Sequence, residues 1–564
     1  MTTLGEATDM RKRLKTASPL CCQVHKTNGT LNPLLFQEEF AEKKNNEYET
    51  SQPYQHILLK DVCDDRFLSQ ALRELETHVT LSFKETDLFK VLQSVDLASL
   101  DTAEGRKKCT NLTKLRDALY SDTFRRAVER MTGCPPLDAR VDCSCNVYPH
   151  GGHLLCHDDV IGTRCISYIL YLSDNQEEWT VNDGGALELY PVSKLVHATP
   201  SVHPTKKILP LWNTMILFRV QAGQSFHAVQ EVFAKYKSRV SISGWYHVMT
   251  HSSSATRNAS AQALVHGMNA YTETTHTNTE VKLANTCTFM DTKFSPTFGQ
   301  EDRVFLREWL NDAYLDMSGM LQLNQQLDKE GIIVLGDFLN ENIAKIVREK
   351  IKLSAANGSG CLDESSSTRW VTCGPPHIRR FLRYCHKETK QTKQDHRAEL
   401  SEQSMDLPSV LTAICDRVFH SSAFRKWLAS VIGAHLRVTQ GQVRCFRPGL
   451  DYTLAIQNPT SASEKFSLNL CFVNDFGNDD EKSWSSGDVG GYLCHMKTKP
   501  FEKMSTPAEV YTEENEEKVS SVDATFNTLT IIKEDENIVN FIKYISKSAP
   551  SCRWDIISNA TRSA

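Results

Sequence analysis

The sequence has no run of about 18 uncharged apolar residues, the length a membrane-crossing helix needs. It has no surplus of one charge either. Lys plus Arg is 64 and Asp plus Glu is 69, a formal net charge of −5. A balance this near neutral speaks against a dedicated nucleic-acid binder held by a global basic field. Residues 1–15 lack the apolar core of a secretory signal. Paired C-x-x-C sets are missing; the local cysteine pairs are Cys21-Cys22 and Cys143-x-Cys145, so no structural zinc site is expected. Without a secretory signal, the 18 cysteines are expected as thiols in a reducing compartment. The sequons at Asn111 and Asn258 then read as chance matches. What is present is 564 residues, 40% hydrophobic and 24% charged, with a mean hydropathy of −0.39. That is a globular balance in a chain too long for one ordinary domain.

Texture divides the chain into four parts. Residues 1–50 are polar without sustained periodicity and read as a flexible N-terminal tail. Its basic run Arg11-Lys12-Arg13-Leu14-Lys15 fits a nuclear-import signal, and equally a solvated tail. Residues 51–250 read as a first domain. Ile57-Leu58-Leu59 has the character of a strand, and 64–76 that of a helix with Phe67, Leu68, Ala71, Leu72 and Leu75 on one face. Residues 84–97, with Leu88, Phe89 and Leu92, read as a packed amphipathic helix or, alternatively, a lid. From 141 to 246 short apolar runs alternate with turn signals, placing strands at 166–172, 186–190, 214–220 and 240–246. Such spacing suggests a β-sandwich or jelly roll, and the preceding helices make this part α+β. Residues 251–299, rich in Ser, Thr, Asn and Ala, read as a polar linker. Residues 300–564 form the fourth part, with polar loops expected at 355–367 and 387–404.

The fourth part repeats the second. Ser121-Asp-Thr-Phe124-Arg125 matches Ser421-Ser-Ala-Phe424-Arg425, and Tyr148-Pro-His-Gly151 matches Phe446-Arg-Pro-Gly449. Gly184-Gly185-Ala-Leu187 matches Gly490-Gly491-Tyr-Leu493, Asn213-Thr214 matches Asn527-Thr528, and Leu59-Lys-Asp61 matches Leu335-Gly-Asp337. Matches in one order at similar offsets predict two tandem double-stranded β-helix (jelly-roll) domains with flanking helices.

His157-Asp158-Asp159 contains the pattern His-x-Asp. In a strand, residues two apart share a face, so His157 and Asp159 are expected to converge while Asp158 points away. His227 follows the strand at 214–220, and Arg239 comes twelve residues later. Two imidazoles and a carboxylate on one face of an octahedron form the triad of non-haem Fe(II) oxygenases. A planar, permanently charged guanidinium on the next strand suits the distal carboxylate of a dicarboxylate ligand. Two other readings use the same residues. A Zn(II) hydrolase takes two His and one Asp, though it has no general need of Arg239. A non-catalytic scaffold needs none of them. Alternation along the strand at 166–172 puts Ser167, Ile169 and Tyr171 on one face, as a pocket wall or as ordinary core.

The strings Tyr148-Pro-His-Gly-Gly-His-Leu-Leu-Cys-His157-Asp158-Asp159, Arg164-Cys-Ile-Ser-Tyr-Ile-Leu-Tyr171, Gly184-Gly185-Ala-Leu187-Glu-Leu-Tyr190 and Ser225-Phe226-His227, with Ser238-Arg239-Val-Ser-Ile-Ser-Gly-Trp245-Tyr246, resemble the 2-oxoglutarate- and Fe(II)-dependent prolyl hydroxylases. The branch they resemble is that of the ribosomal-protein prolyl 3-hydroxylases. The resemblance implies Fe(II) held by His157, Asp159 and His227, and 2-oxoglutarate held by Arg239, Tyr148 and Tyr171, with O2 as cosubstrate and L-ascorbate as a further candidate. It implies a proline of the small-subunit ribosomal protein at the decoding centre as substrate, and effects on translation accuracy and termination. Translation-termination factors or ribosomal complexes are its implied partners, and nucleus and cytoplasm its implied compartments. A lysyl hydroxylase or demethylase of the same superfamily is the alternative, because sequence does not fix the acceptor residue. Contact with ribosomal RNA would fall to local clusters such as Arg379-Arg380-Phe-Leu-Arg383, which solvated surface charge explains equally. The second jelly roll is expected to be catalytically degenerate. An ungapped alignment puts Ala455 at the place of His157, Gln457 at Asp159 and Phe541 at His227, while Arg553 matches Arg239.

Overall fold

The computed structural model describes residues 30–562 apart from 174–176, 194–195, 197, 250–296, 357–368, 386–404, 440, 456–463, 476–483, 498–519 and 535–537. Its first strands are β1 (His56–Lys60), β2 (Leu81–Glu85), β3 (Phe89–Ser94), β4 (Leu137–Val141), β5 (Ser144–Tyr148) and β6 (His153–His157). They continue as β7 (Arg164–Tyr171), β8 (Leu187–Leu189), β9 (Lys206–Ile208), β10 (Thr214–Arg219), β11 (His227–Val229) and β12 (Arg239–Val248). These make one curled antiparallel sheet in the order β1-β10-β7-β12-β5-β3-β6-β11-β8-β9. Period-two alternation along β7 separates its two faces. Ile166, Tyr168 and Leu170 pack against the helices Asp65–His78, Thr110–Tyr120 and Asp122–Thr132. Ile169 and Tyr171 face the inside of the roll with Tyr148, Ile216 and Phe218.

The second set is β13 (Ile332–Leu335), β14 (Trp370–Cys373), β15 (Arg379–Tyr384), β16 (Leu436–Val438), β17 (Gln442–Phe446) and β18 (Tyr452–Thr453). It continues as β19 (Lys465–Phe472), β20 (Leu493–Lys497), β21 (Ser520–Val522), β22 (Thr528–Glu534), β23 (Ile538–Ile542) and β24 (Arg553–Arg562). The order β13-β22-β19-β24-β17-β15 repeats β1-β10-β7-β12-β5-β3, and β21-β20-β23 repeats β9-β8-β11. The chain is therefore two tandem double-stranded β-helices with flanking helices.

The repeated motifs have physical causes. Ser121 Oγ accepts from the Phe124 N–H and Ser421 Oγ from the Phe424 N–H, so each serine caps its helix. Gly133 and Gly433 end those helices in the left-handed conformation. Asn213 and Asn527 also have positive φ, at +55° and +56°. Each amide clamps a backbone: Asn213 bonds both the N–H and C=O of Cys63, and Asn527 those of Leu339. Asparagine tolerates left-handed backbone while supplying a donor and an acceptor.

Two expectations need correction. The described part of the 1–50 tail is folded: Leu31, Leu35, Ala41 and Tyr48 are buried in the first core, and Glu38–Thr50 is a helix. That helix shows little periodicity because it buries few residues, Ala41 and Tyr48 among them. Residues 84–94 form no helix. They belong to the hairpin β2–β3, with Phe83 opposite Leu92. Short apolar runs do not distinguish helix from strand, and pairing of β3 with β5 and β6 decided it. The expected polar linker lies outside the described residues except for 297–299, and the loops at 355–367 and 387–404 lie outside them except for 355–356, which end the helix Glu341–Ala356.

Candidate metal centre

His157 ends β6 and His227 begins β11, and antiparallel register places them directly opposite each other. Their ring centroids are 4.2 Å apart. His157 Nε2 lies 3.2 Å from Asp159 Oδ1, and His227 Nε2 lies 3.3 Å from Asp159 Oδ2. One ligand atom from each of the three falls within 4.8 Å of the others, a span one ion bridges at ordinary metal–ligand distances. The Nδ1 atoms face the backbone carbonyls of Leu155 and Ser225 at 2.8 and 2.9 Å. A proton on Nδ1 directs each free Nε2 lone pair inward, the arrangement metal-binding imidazoles need.

Asp159 arrives by a different route from the one expected. β6 stops at His157, and Asp159 stands beyond it with φ +61°. A turn, not strand alternation, brings the carboxylate round to the imidazoles. Asp158 points away, accepting from the N–H groups of Gly223 and Val160. Asp159 Oδ2 also accepts from Trp245 Nε1 at 3.0 Å and from Ser167 Oγ at 3.5 Å. Burial opposes its charge, but the adjacent imidazoles hold its carboxyl well below the usual range. Burial likewise opposes charge on His157, while Asp159 raises its pKa.

Trp245 was missed by sequence reasoning. The signal was present: Arg239, Ser241, Ser243 and Trp245 occupy alternate positions of β12, so they share one face. The Arg164 guanidinium covers the Trp245 ring at 3.4 Å.

Deeper in the roll, Arg239 is 1% exposed. Its Nε donates to the Gly185 carbonyl at 3.0 Å and its Nη1 to Ser241 Oγ at 3.3 Å. The guanidinium carbon sits 4.9 Å from the Tyr148 ring and 5.1 Å from the Tyr171 ring. Arg239 Nη2 and Tyr171 Oη are buried without a hydrogen-bond partner. Two stranded donors beside a buried cation fit one carboxylate that accepts from both. Burial pushes the Tyr148 hydroxyl up to about 12, with Arg239 opposing, so it too stays protonated and able to donate. The donor set thus fits iron at the triad and a dicarboxylate reaching from it to Arg239. A hydrolytic zinc site has no use for this second feature.

The second roll keeps the arginine but differs at other described places of the site. Leu493 pairs with Ile542 as Leu187 pairs with Val229, so Asn540 occupies the position of His227. Phe541 takes the place of Ala228 and packs outward with Ala455, Cys494 and Val539. This corrects the ungapped alignment. The link from β23 to Arg553 is one residue longer than that from His227 to Arg239, and a slip of one residue turns a strand side chain to the other face. Register likewise puts Ala455 at the place of Cys156. Gln457 lies outside the described residues. Arg553 keeps the cradle arginine, donating to the Gly491 carbonyl at 2.6 Å and to Asn469 Oδ1 at 2.9 Å. By register, Phe446, Cys471 and Asp555 replace Tyr148, Tyr171 and Ser241. The Asp555 carboxylate lies 3.7 Å from Arg553 and is gripped by Arg444 through two 2.8 Å bonds. An internal carboxylate thus stands beside the arginine. Cys415, Asp416 and His420 also cluster, but His420 Nε2 accepts from the Gly441 N–H and its Nδ1 faces Asp416, and burial pushes the Cys415 thiol up.

Residues 143–247 match the 2OG-Fe(II) oxygenase superfamily, and residues 301–562 match the oxoglutarate and iron-dependent oxygenase degradation C-terminal family. A relative from Ostreococcus tauri, prolyl 3,4-dihydroxylase OGFOD1, is 39% identical over 92% of this chain and 97% of its own. Prolyl 3-hydroxylase sudestada1 of Drosophila melanogaster is 25% identical over 89% and 81% of the two chains. Prolyl 3-hydroxylase OGFOD1 of Xenopus laevis is 28% identical over 59% and 54%.

Proposed function

Because this chain belongs to the 2-oxoglutarate- and iron(II)-dependent prolyl hydroxylase family, we propose that it hydroxylates a proline of the small-subunit ribosomal protein at the decoding centre, at C3, and so affects translation accuracy and termination. The carrying observation is the pairing of the His157–Asp159–His227 triad with the stranded donors of Arg239 and Tyr171. The triad would hold Fe(II). Bound iron, 2-oxoglutarate and O2 together supply the chemistry: oxidative decarboxylation to succinate and CO2 coupled to insertion of oxygen into a C–H bond. Arg239 would grip the distal carboxylate, with Tyr171 and Tyr148 donating to the cosubstrate. Burial of all three keeps water from competing for that carboxylate. Trp245 and Ser167 hold Asp159 so that its free oxygen points at the metal. L-ascorbate would serve as a reductant keeping iron ferrous. Nucleus and cytoplasm are the proposed compartments, and ribosomal complexes or termination factors the proposed partners.

A second reading, addition of two hydroxyls, is favoured by the Ostreococcus relative, a prolyl 3,4-dihydroxylase. We further propose that the second roll is catalytically degenerate. Asn540 at the place of His227 and Asp555 beside Arg553 support this reading.

The test is an anaerobic Fe(II) and 2-oxoglutarate titration, then admission of O2 with a peptide from that ribosomal protein and mass spectrometry. One added oxygen on the proline is expected, and two would favour the second reading. Turnover of 2-oxoglutarate with no change in the peptide would remove this substrate.

A further inference from the structure

β6, which carries one imidazole, and the segment that follows β11, which carries the other, also touch the second roll. Glu231, two residues beyond β11, is 1% exposed. Its Oε2 accepts from Tyr544 Oη at 3.2 Å and from the Lys547 N–H at 2.7 Å, while Oε1 accepts from Ser546 Oγ. The donors to this buried carboxylate thus come from the other roll, which matters because a buried carboxylate without donors is costly. The ring of Tyr544 also lies against that of His153 on β6, with centroids 4.3 Å apart.

The backbone of Glu231 leads to the cosubstrate cradle. Its carbonyl accepts from the Gly185 N–H at 3.0 Å, and the Gly185 carbonyl accepts from Arg239 Nε at 3.0 Å. Gly185 has φ +68°, and a Cβ there would meet Trp179 at 3.1 Å and Val232 at 3.2 Å, so the link has little slack. The contact is also pseudo-symmetric. A Cβ on Gly184 would strike the Glu231 carbonyl, and one on Gly490 would strike the Tyr544 carbonyl, so Tyr544 stands at the place of Glu231 in its own roll. Equivalent positions of the two rolls thus meet at this contact.

We propose that Glu231, held by Tyr544, Ser546 and Lys547, is a positioning residue through which the second roll sets the orientation of Arg239 and hence the affinity for 2-oxoglutarate. This rests on the reading that Arg239 binds that cosubstrate. Loss of supporting hydrogen bonds around a bound group costs about tenfold or more in affinity. A contact at the same interface provides the control: Lys543 pairs with Glu85 of β2 at 3.2 Å, outside the Glu231–Gly185–Arg239 chain of bonds.

The experiment measures 2-oxoglutarate binding by calorimetry on the full chain, with Mn(II) in place of Fe(II), beside thermal unfolding. Tyr544→Phe combined with Ser546→Ala removes donors without touching the catalytic roll. Glu231→Gln is the second variant, should the double variant not fold. Either should weaken 2-oxoglutarate about tenfold, while Glu85→Gln leaves that affinity unchanged even if unfolding shifts. Wild-type affinity in the folded latch variants would overturn the inference, as would equal weakening in Glu85→Gln. Failure of the wild-type protein to bind 2-oxoglutarate would instead overturn the reading of Arg239 beneath it.

Discussion

At the scale of single residues, the three proposed metal ligands are expected to act as a unit. His157→Ala, His227→Ala or Asp159→Ala should each abolish Fe(II) binding, because two ligands cannot hold the ion in this geometry. Anaerobic titration of the purified variants checks this; retained 1:1 binding in any of them would remove that residue from the triad. Arg239→Ala should spare metal binding yet weaken 2-oxoglutarate by a few hundredfold or more, corresponding to about 3–5 kcal/mol for breaking a buried ion pair. Arg239→Lys should recover only part, since the fork geometry is lost. Trp245→Phe keeps the packing but removes the donor to Asp159 Oδ2. It should lower Fe(II) affinity by about 10-fold to 100-fold, measured directly rather than through turnover.

At the scale of elements, the site depends on where strands stop. His157 and His227 face each other because β6 and β11 are in register, and Asp159 reaches them because β6 has already ended. Asn213 shows the same economy at the start of β10. It combines positive φ with bonds to both polar groups of the Cys63 backbone, tying β10 to the segment after β1. Asn213→Ala loses both bonds and adds conformational strain. It should destabilise the fold by about 1–3 kcal/mol, read from denaturant unfolding, with residual metal binding in the folded fraction. Its counterpart Asn527 should respond alike, since it makes the same two bonds to Leu339.

Across the whole molecule, two copies of one fold have diverged around their arginines. Arg239 lies beside the stranded Tyr171 hydroxyl, while Arg553 lies beside Asp555 and donates to Asn469. The full chain should therefore bind one iron, measured as metal per chain after anaerobic loading, and that iron should vanish with His227→Ala. Two irons per chain would place a second site in the other roll. The two rolls are joined by buried polar bonds as well as by packing among Leu155, Tyr452 and Tyr544.

The sequence by itself determined the duplicated architecture and which residues meet as the His157–Asp159–His227 cluster, with the buried Arg239 on the next strand. Those features are written in residue types that physical chemistry restricts: helix-capping serines, asparagines at positive φ, glycines where a Cβ would strike backbone, and imidazoles with a carboxylate. Tertiary structure decided what such signals do not encode. Residues 84–94 became a hairpin because β5 and β6 offered paired edges, a long-range event that local periodicity does not carry. Phe541 turned outward and Asn540 took the place of His227 because one extra residue in a connection shifts strand register, which ungapped spacing does not reveal. Trp245 became a support of Asp159, and Glu231 a partner of Tyr544, only when segments 86 and 313 residues apart were folded together.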